Sequence, residues 1–266
     1  MTNSNLKAKK LFLLDMDGTI YLDNVLFEYS LDFLSYIKSI NGKYVFLTNN
    51  SSKGIDDYIN KLKKLSIQVD PSNFMTSSQA ASLHIRQKYK GKKIYVLGTE
   101  SLKEELIRDG LYIVDKYHED IECLLVGFDT ELSYSKISDA CKILTKEVAY
   151  LATNVDLVCP TSFGFIPDCG SICNMLETAT GKIPEYIGKP KPTMVELAIQ
   201  ANGFTFEETI VIGDRLYTDI ACGINAGVST AIVLTGETKS AHLVNTKFRP
   251  DFIFEDIGQL YKALTE

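Results

Sequence analysis

LFLLDMDGTIY, residues Leu11–Tyr21, ends a short apolar run in two carboxylates set two positions apart. A run of this kind, closed by Asp15, Asp17, Gly18 and Thr19, predicts a buried parallel strand that opens into a loop at its carboxyl end. Open α/β sheets place their chemistry at such ends. Residues i and i+2 of an extended chain point the same way. Both acids can therefore face one small volume, sharing a divalent cation or dividing the work of nucleophile and acid. Gly18 lets the backbone turn sharply behind them. A calcium loop does not fit, because Thr19 follows Gly18 and Leu26 stands where the bidentate Glu belongs. An ordinary polar turn is the plain alternative.

The chain of 266 residues exceeds the usual single-domain size, which predicts one large domain or a core with an inserted module. Hydrophobic residues make up 45% and charged residues 23%, as in soluble globular proteins, and the net charge of -6 argues against nucleic acid as a partner. The polar start MTNSNLKAKK and the lack of any apolar run of membrane-span length predict a cytoplasmic protein with no membrane association. Six cysteines without a C-x-x-C pair predict buried free thiols. His84, His118 and His242 are far apart in sequence, which leaves a histidine metal site or a Ser-His-Asp triad with little support.

Short apolar strands alternate with amphipathic helices along the chain. Ser30 is expected to cap a helix carrying Leu31, Leu34, Ile37 and Ile40, ended by Asn41-Gly42. The next strand, Tyr44 to Leu47, runs into Thr48-Asn49-Asn50-Ser51-Ser52 and a helix with Ile55, Ile59, Leu62 and Leu65 on its buried face. Simple capping by Ser51 accounts for that polar cluster, and so does anion binding at a helix start. Beyond Gly91, strands are expected at Ile94 to Leu97, Ile113-Val114, Cys123 to Val126 and Ala149 to Ala152, consistent with a self-contained α/β module. No G-x-G-x-x-G follows Gly98. The stretch from Ala152 to Ser171, punctuated by Gly and Pro, reads as loop closing that module.

Gly188-Lys189-Pro190-Lys191-Pro192 is not a Walker loop, since Ile183 replaces its first Gly and Pro190 follows the Lys. The prolines hold Lys189 in a stiff segment before a helix, which suits charge neutralisation as well as a plain surface position. The strand Ile210 to Ile212 then ends in Gly213-Asp214-Arg215-Leu216-Tyr217-Thr218-Asp219. A helix-start carboxylate explains Asp219, but explains Asp214 less well. Gly223 is expected to pack closely on the sheet and Gly227 to stop the helix.

Taken together, D15-M-D-G-T19, T48-N-N50, G188-K-P-K-P192 and G213-D-R-L-Y-T-D219 resemble, in order and spacing, the motifs of the haloacid dehalogenase superfamily of phosphatases. The insertion ending in Ala152 to Asp156 and Pro167 to Ser171 is similar to the α/β cap of the NagD-like, p-nitrophenyl phosphatase branch. The resemblance implies an α/β fold, a Rossmann-like parallel-sheet core (1–81 and 181–266) with an inserted cap domain (82–180). It also implies hydrolysis of small phosphorylated metabolites: nucleoside monophosphates, sugar phosphates, phosphoglycolate or pyridoxal phosphate.

By this resemblance Asp15 is the nucleophile and Asp17 the general acid and base. Mg2+ is held by Asp15, the backbone carbonyl of Asp17 and Asp214, with Asp219 behind these ligands. Thr48, Asn49 and Asn50 bind the phosphoryl group, and Lys189 offsets charge on it and on Asp15. A homodimer through the cap is left open. Asp168 stands where the family's cap segment has Gly, and an extra carboxylate there is expected to disfavour acidic leaving groups. Asp17 and Asp214 argue against a metal-free dehalogenase. The alternatives are a receiver-like phospho-aspartate switch and a non-catalytic scaffold on the same fold.

Overall fold

The computed structural model describes residues 3–52, 54–161 and 163–266. The chain divides into two compact units, one of Met1–Thr48, Asp56–Met75 and Lys189–Glu266, the other of Asn49–Ile55 and Thr76–Gly188. In sequence, the second interrupts the first.

The sheet of the first unit runs Phe252–Phe254, Ser229–Val233, Thr209–Gly213, Leu11–Leu14, Lys43–Thr48, Phe74–Thr76. The strand Leu11–Leu14 lies parallel to both neighbours, with Leu14 opposite Ile212 on one side and Phe46 on the other. In chain order the strands stand 3-2-1-4-5-6, the Rossmann-like arrangement. The order reverses between the strands that end at Asp15 and Asp214, and the crevice of such a sheet opens at that reversal. Leu11 to Leu14 have no exposed surface, so the run is apolar throughout, as a strand covered on both faces requires. Burying each of these side chains is worth roughly 1.5–3 kcal/mol. Phe12 meets Phe33 edge to face at 5.7 Å, fixing the helix Ser30–Ser39 on the sheet.

Several local expectations are revised. Ser30 lies inside the helix rather than capping it: Tyr29 is the left-handed N-cap, and Ser30 Oγ donates to Ile20 O at 2.8 Å. That bond ties the helix start to the loop after Asp17. Leu31 is exposed, and Phe33 joins Leu34 and Ile37 on the buried face. On the helix Ile55–Lys64 the buried residues are Tyr58 and Leu62. A hairpin, Tyr21–Leu22 with Val25–Leu26, follows the Asp17 loop. Gly223 packs as expected, since a Cβ there would overlap Thr230, and Gly227 ends its helix at φ 72°.

The second unit has its own parallel sheet, ordered Glu185–Tyr186, Ala149–Ala152, Cys123–Val126, Lys93–Leu97, Tyr112–Val114. All four expected strands of the module are present, with Glu185–Tyr186 added at one edge. The segment read as loop holds an antiparallel hairpin, Val158–Thr161 with Gly164–Pro167; position 162 lies outside the described residues. Phe163 and Phe165 are exposed, so this hairpin lacks the buried apolar alternation that marks a strand in sequence. Among the described residues none of the six cysteines is in a disulfide, and four of them are buried. Among the described residues no helix is long and apolar enough to cross a membrane.

Candidate active site

Asp15 continues the central strand, and its N–H donates to Ile212 O at 2.9 Å, which locks it to the strand that leads into Asp214. Lys189 reaches the same point from its proline-flanked segment. Its buried ammonium donates to Asp15 Oδ1 at 2.6 Å, Asp219 Oδ1 at 2.7 Å and Leu47 O at 3.1 Å. Three protons meet three acceptors, as burial of an ammonium demands. Lys189 is thus a buried structural and electrostatic element, not a surface cation.

Asp219 lies on a single π-helical turn, Leu216–Ile220, between the strand Thr209–Gly213 and the helix Ala221–Ala226. Turns of this kind recur at functional sites. The turn aims Asp219 back into the crevice: Oδ1 accepts from Lys189, and Oδ2 accepts from Arg215 N at 3.1 Å. Asp214 Oδ2 accepts from Glu237 N at 2.7 Å, while its buried Oδ1 has no partner among the described residues. One oxygen each of Asp15, Asp214 and Asp219 lie within 4.8 Å of one another.

Such crowding has an electrostatic signature. Burial pushes the Asp15 carboxyl up to about 6, with Lys189 opposing and Asp219 adding to the rise. Asp214 is pushed up to about 7, by burial first and then by the charges of Asp15 and Asp219. Burial pulls Lys189 down, but Asp15 and Asp219 outweigh it and the ammonium stays charged. A hard divalent cation fits this set: the orphaned Asp214 oxygen needs an electrophile, and clustered carboxylates need positive charge beyond that of Lys189 and Arg215. Asp219 has both oxygens engaged by protein donors, one of them the Lys189 ammonium.

Asp17 is half exposed at the mouth of the turn. Lys61 Nζ reaches its Oδ2 at 3.2 Å while lying 4.2 Å from the centre of the Tyr21 ring. Gly18 sits at φ 83°, and a Cβ there would come within 2.8 Å of Asp214 Oδ2. A Cβ on Gly236 would overlap the same carboxylate. Thr48, buried at its strand end, bonds with the Tyr58 hydroxyl, whose ionisation burial pushes up to about 12. Asp15, Asp17, Thr48, Lys189, Asp214 and Asp219 therefore all belong to the first unit.

Asn49 and Asn50 fall in the second unit. Asn50 Oδ1 accepts from Ser52 N at 2.9 Å and Ser52 Oγ at 2.8 Å. Asn49 Nδ2 donates to Asp156 Oδ2 at 2.9 Å. Ser51 does not cap the following helix: its hydroxyl pairs with Thr153 Oγ1 and accepts from Phe128 N, both at 3.0 Å. Asp168 is the buried N-cap of the helix Cys169–Thr180, its Oδ1 accepting from Cys169 N at 2.5 Å and from Asn154 Nδ2 at 3.4 Å. A side chain turned into a helix start does not match the expectation of a carboxylate offered to leaving groups.

Arg215, Tyr58, Lys61 and Gly236 went unrecognised in the sequence. Arg215 lay inside a quoted motif. Tyr58 is offset by one position from the face assigned to its helix, and nothing in a lone Gly236 signals a carboxylate beside it.

Two family models match the chain, haloacid dehalogenase-like hydrolase over residues 12–112 and HAD-hydrolase-like over residues 186–260. The 5'-nucleotidase YutF of Bacillus subtilis is 32% identical over 254 residues, 96% of this chain and 98% of its own. The crystal structure of a 4-nitrophenylphosphatase from Thermotoga maritima superposes with a TM-score of 0.92 at 39% identity, covering 98% of this chain and 99% of that one. A glycerol phosphate phosphatase from Mycobacterium tuberculosis, solved in complex with magnesium, gives 0.89 at 28% identity over 96% of this chain and 77% of that one. The chain belongs to the haloacid dehalogenase-like hydrolases, in their NagD-like, p-nitrophenyl phosphatase branch. With relatives that are named phosphatases along its whole length, it is a phosphomonoester hydrolase, and the switch and scaffold alternatives fall away.

Proposed function

We propose that the protein is a magnesium-dependent phosphatase that hydrolyses small phosphomonoesters through an aspartyl-phosphate at Asp15. The observation that carries this reading is the buried Lys189 ammonium shared between Asp15 and Asp219 beside the unpartnered oxygen of Asp214. A carboxylate oxygen of Asp15 attacks phosphorus as the bond from phosphorus to the leaving oxygen breaks, and Asp17 gives that oxygen its proton. Asp17 then takes a proton from water as the water oxygen attacks the aspartyl-phosphate. Orthophosphate leaves and Asp15 is regenerated.

Thr48, Asn49 and Asn50 orient the phosphoryl oxygens, and Lys189 offsets their charge. Asp15, Asp214 and the Asp17 carbonyl are the groups that would hold magnesium, which supplies charge neutralisation at the phosphoryl oxygens. Asp219 serves by fixing Lys189. The inserted stretch 82–180 acts as a cap that limits water and contacts the leaving group. The compact unit containing it runs wider, from Thr76 to Gly188, and takes in Asn49–Ile55. Nucleoside monophosphates and sugar phosphates lead the candidate substrates, in keeping with the relatives' names.

Acid-quenching the enzyme during turnover of a radiolabelled phosphomonoester tests the mechanism. An acyl-phosphate cleaved by hydroxylamine and absent in Asp15→Asn is expected. Turnover by Asp15→Asn near the wild-type rate would overturn the assignment.

A further inference from the structure

Immediately after Thr48 the chain enters the second unit, where the stretch Thr153–Asp156 holds it by polar contacts to Asn49 and Ser51. Asn154 Nδ2 donates to Asn49 O at 2.8 Å, and Ser77 Oγ donates to the same carbonyl at 2.7 Å. Asn49 Nδ2 donates to Asp156 Oδ2 at 2.9 Å, and Ser51 Oγ pairs with Thr153 Oγ1 at 3.0 Å. Thr153 and Asn154 have no exposed surface, and Asn49 and Ser51 are buried.

The holding stretch is itself fixed. Thr153 N donates to Val126 O at 2.8 Å, Gly188 N donates to Thr153 O at 2.8 Å, and Gly170 N donates to Asp156 O at 2.8 Å. Two glycines allow this approach. A Cβ on Gly188 would stand 2.5 Å from Thr153 O and 2.6 Å from Asn49 Oδ1, and one on Gly170 would overlap Val155 O. Gly188 opens the segment that carries Lys189, and Gly170 lies in the first turn of the helix Cys169–Thr180.

We infer that Asp156 and Asn154 are positioning residues for phosphoryl binding, acting through Asn49. This rests on the proposed reading of Asn49 as a phosphoryl ligand. Two donors on the Asn49 carbonyl set the plane of the peptide that joins it to Asn50. In a trans peptide the N–H of residue 50 then points to the opposite side. The Asp156 carboxylate sets the rotamer of the Asn49 side chain. Orientation of a backbone donor and of an amide side chain at the end of the Thr48 strand is thus fixed before substrate arrives, which is how preorganised sites gain their hold on an anion. Because the clamp acts on the phosphoryl end of the substrate, its loss is felt equally whatever alcohol leaves.

Steady-state kinetics test this with p-nitrophenyl phosphate and a nucleoside monophosphate, and with orthophosphate as competitive inhibitor. The proteins are wild type, Asn49→Ala, Asp156→Ala, Asp156→Asn and the double variant Asn49→Ala/Asp156→Ala. Loss of one such hydrogen bond in Asp156→Ala is expected to raise KM for both esters and Ki for orthophosphate about tenfold, with kcat changed far less. Asp156→Asn, which keeps an acceptor, recovers most of this. The double variant should match Asn49→Ala alone, because the two residues act as one unit. Should Asp156→Ala fail to fold, Asp156→Glu, which displaces the acceptor, carries the same expectation. Additive effects in the double variant, or an unchanged Ki in Asp156→Ala while Asn49→Ala raises it, would overturn the inference alone. An unchanged Ki in Asn49→Ala would overturn the reading of Asn49 and the inference with it.

Discussion

Lys189 Nζ stands 2.6 Å from Asp15 Oδ1 at the carboxyl end of the central strand, so the residue assigned as nucleophile is also the counter-ion of a buried ammonium. Removing that ammonium leaves Asp15 and Asp219 with only Arg215 to offset their charge. Lys189→Met is expected to lose about 3–5 kcal/mol of stability, read from urea unfolding, together with nearly all turnover. Lys189→Arg should not rescue activity, because a planar fork cannot serve the same three acceptors.

Gly236 is the strictest steric contact with Asp214. A Cβ at that position overlaps the carboxylate and displaces the oxygen bonded to Glu237 N. Gly236→Ala should therefore weaken metal activation by about 10–100-fold, the usual cost of disturbing a group that orients a metal ligand. A magnesium titration of turnover gives this directly. An unchanged activation midpoint would remove Asp214 from the ligand set.

Asp168 carries a pH signature outside the acid cluster. Burial pushes its carboxyl up to about 6, Cys169 N–H opposing and Asp156 adding. The folded state therefore binds this proton more tightly than the unfolded chain, whose carboxyl titrates near 3.9. The resulting stabilisation is complete below about pH 4 and is lost as pH rises through about 6. Asp168→Asn keeps a capping side chain and lacks the charge. It should gain up to about 3 kcal/mol over wild type at pH 7.5, and nothing at pH 3.5, in paired denaturation curves.

Lys61 adds little to stability. Its contact with Asp17 joins two partly exposed groups, and such pairs are worth about 0–1 kcal/mol. Lys61→Met should leave the unfolding midpoint almost unchanged and lower kcat only a few-fold, through looser placement of Asp17. A thousandfold loss would mean that Lys61 takes part in the chemistry itself.

Much of the core was legible because each strand end concentrates polar residues against a fully apolar run. Asp15, Thr48 and Asp214 were placed by that contrast and Lys189 by the prolines after it, and the structure brings Lys189 and Asp214 to Asp15, where strand order reverses. Helix faces were less legible. Tyr58 replaced Ile55 and Ile59 as the buried residue because a hydroxyl with a partner in Thr48 can be buried as readily as an aliphatic chain. The π-helical turn that aims Asp219 at Lys189 has no sequence pattern distinct from a helix start. Ser51 shows the same limit: its composition signals a cap, whereas its hydroxyl bonds Thr153 over a hundred residues away. Partners so distant in sequence leave no periodic trace.

The nucleophile assignment is tested most directly by phosphate release from a panel of phosphomonoesters in wild type and Asp15→Asn, each with magnesium and with a chelator. Turnover that requires magnesium, is abolished by the chelator and is lost in a folded Asp15→Asn protein is the predicted result. Turnover that persists in Asp15→Asn, or proceeds undiminished after chelation, would contradict it.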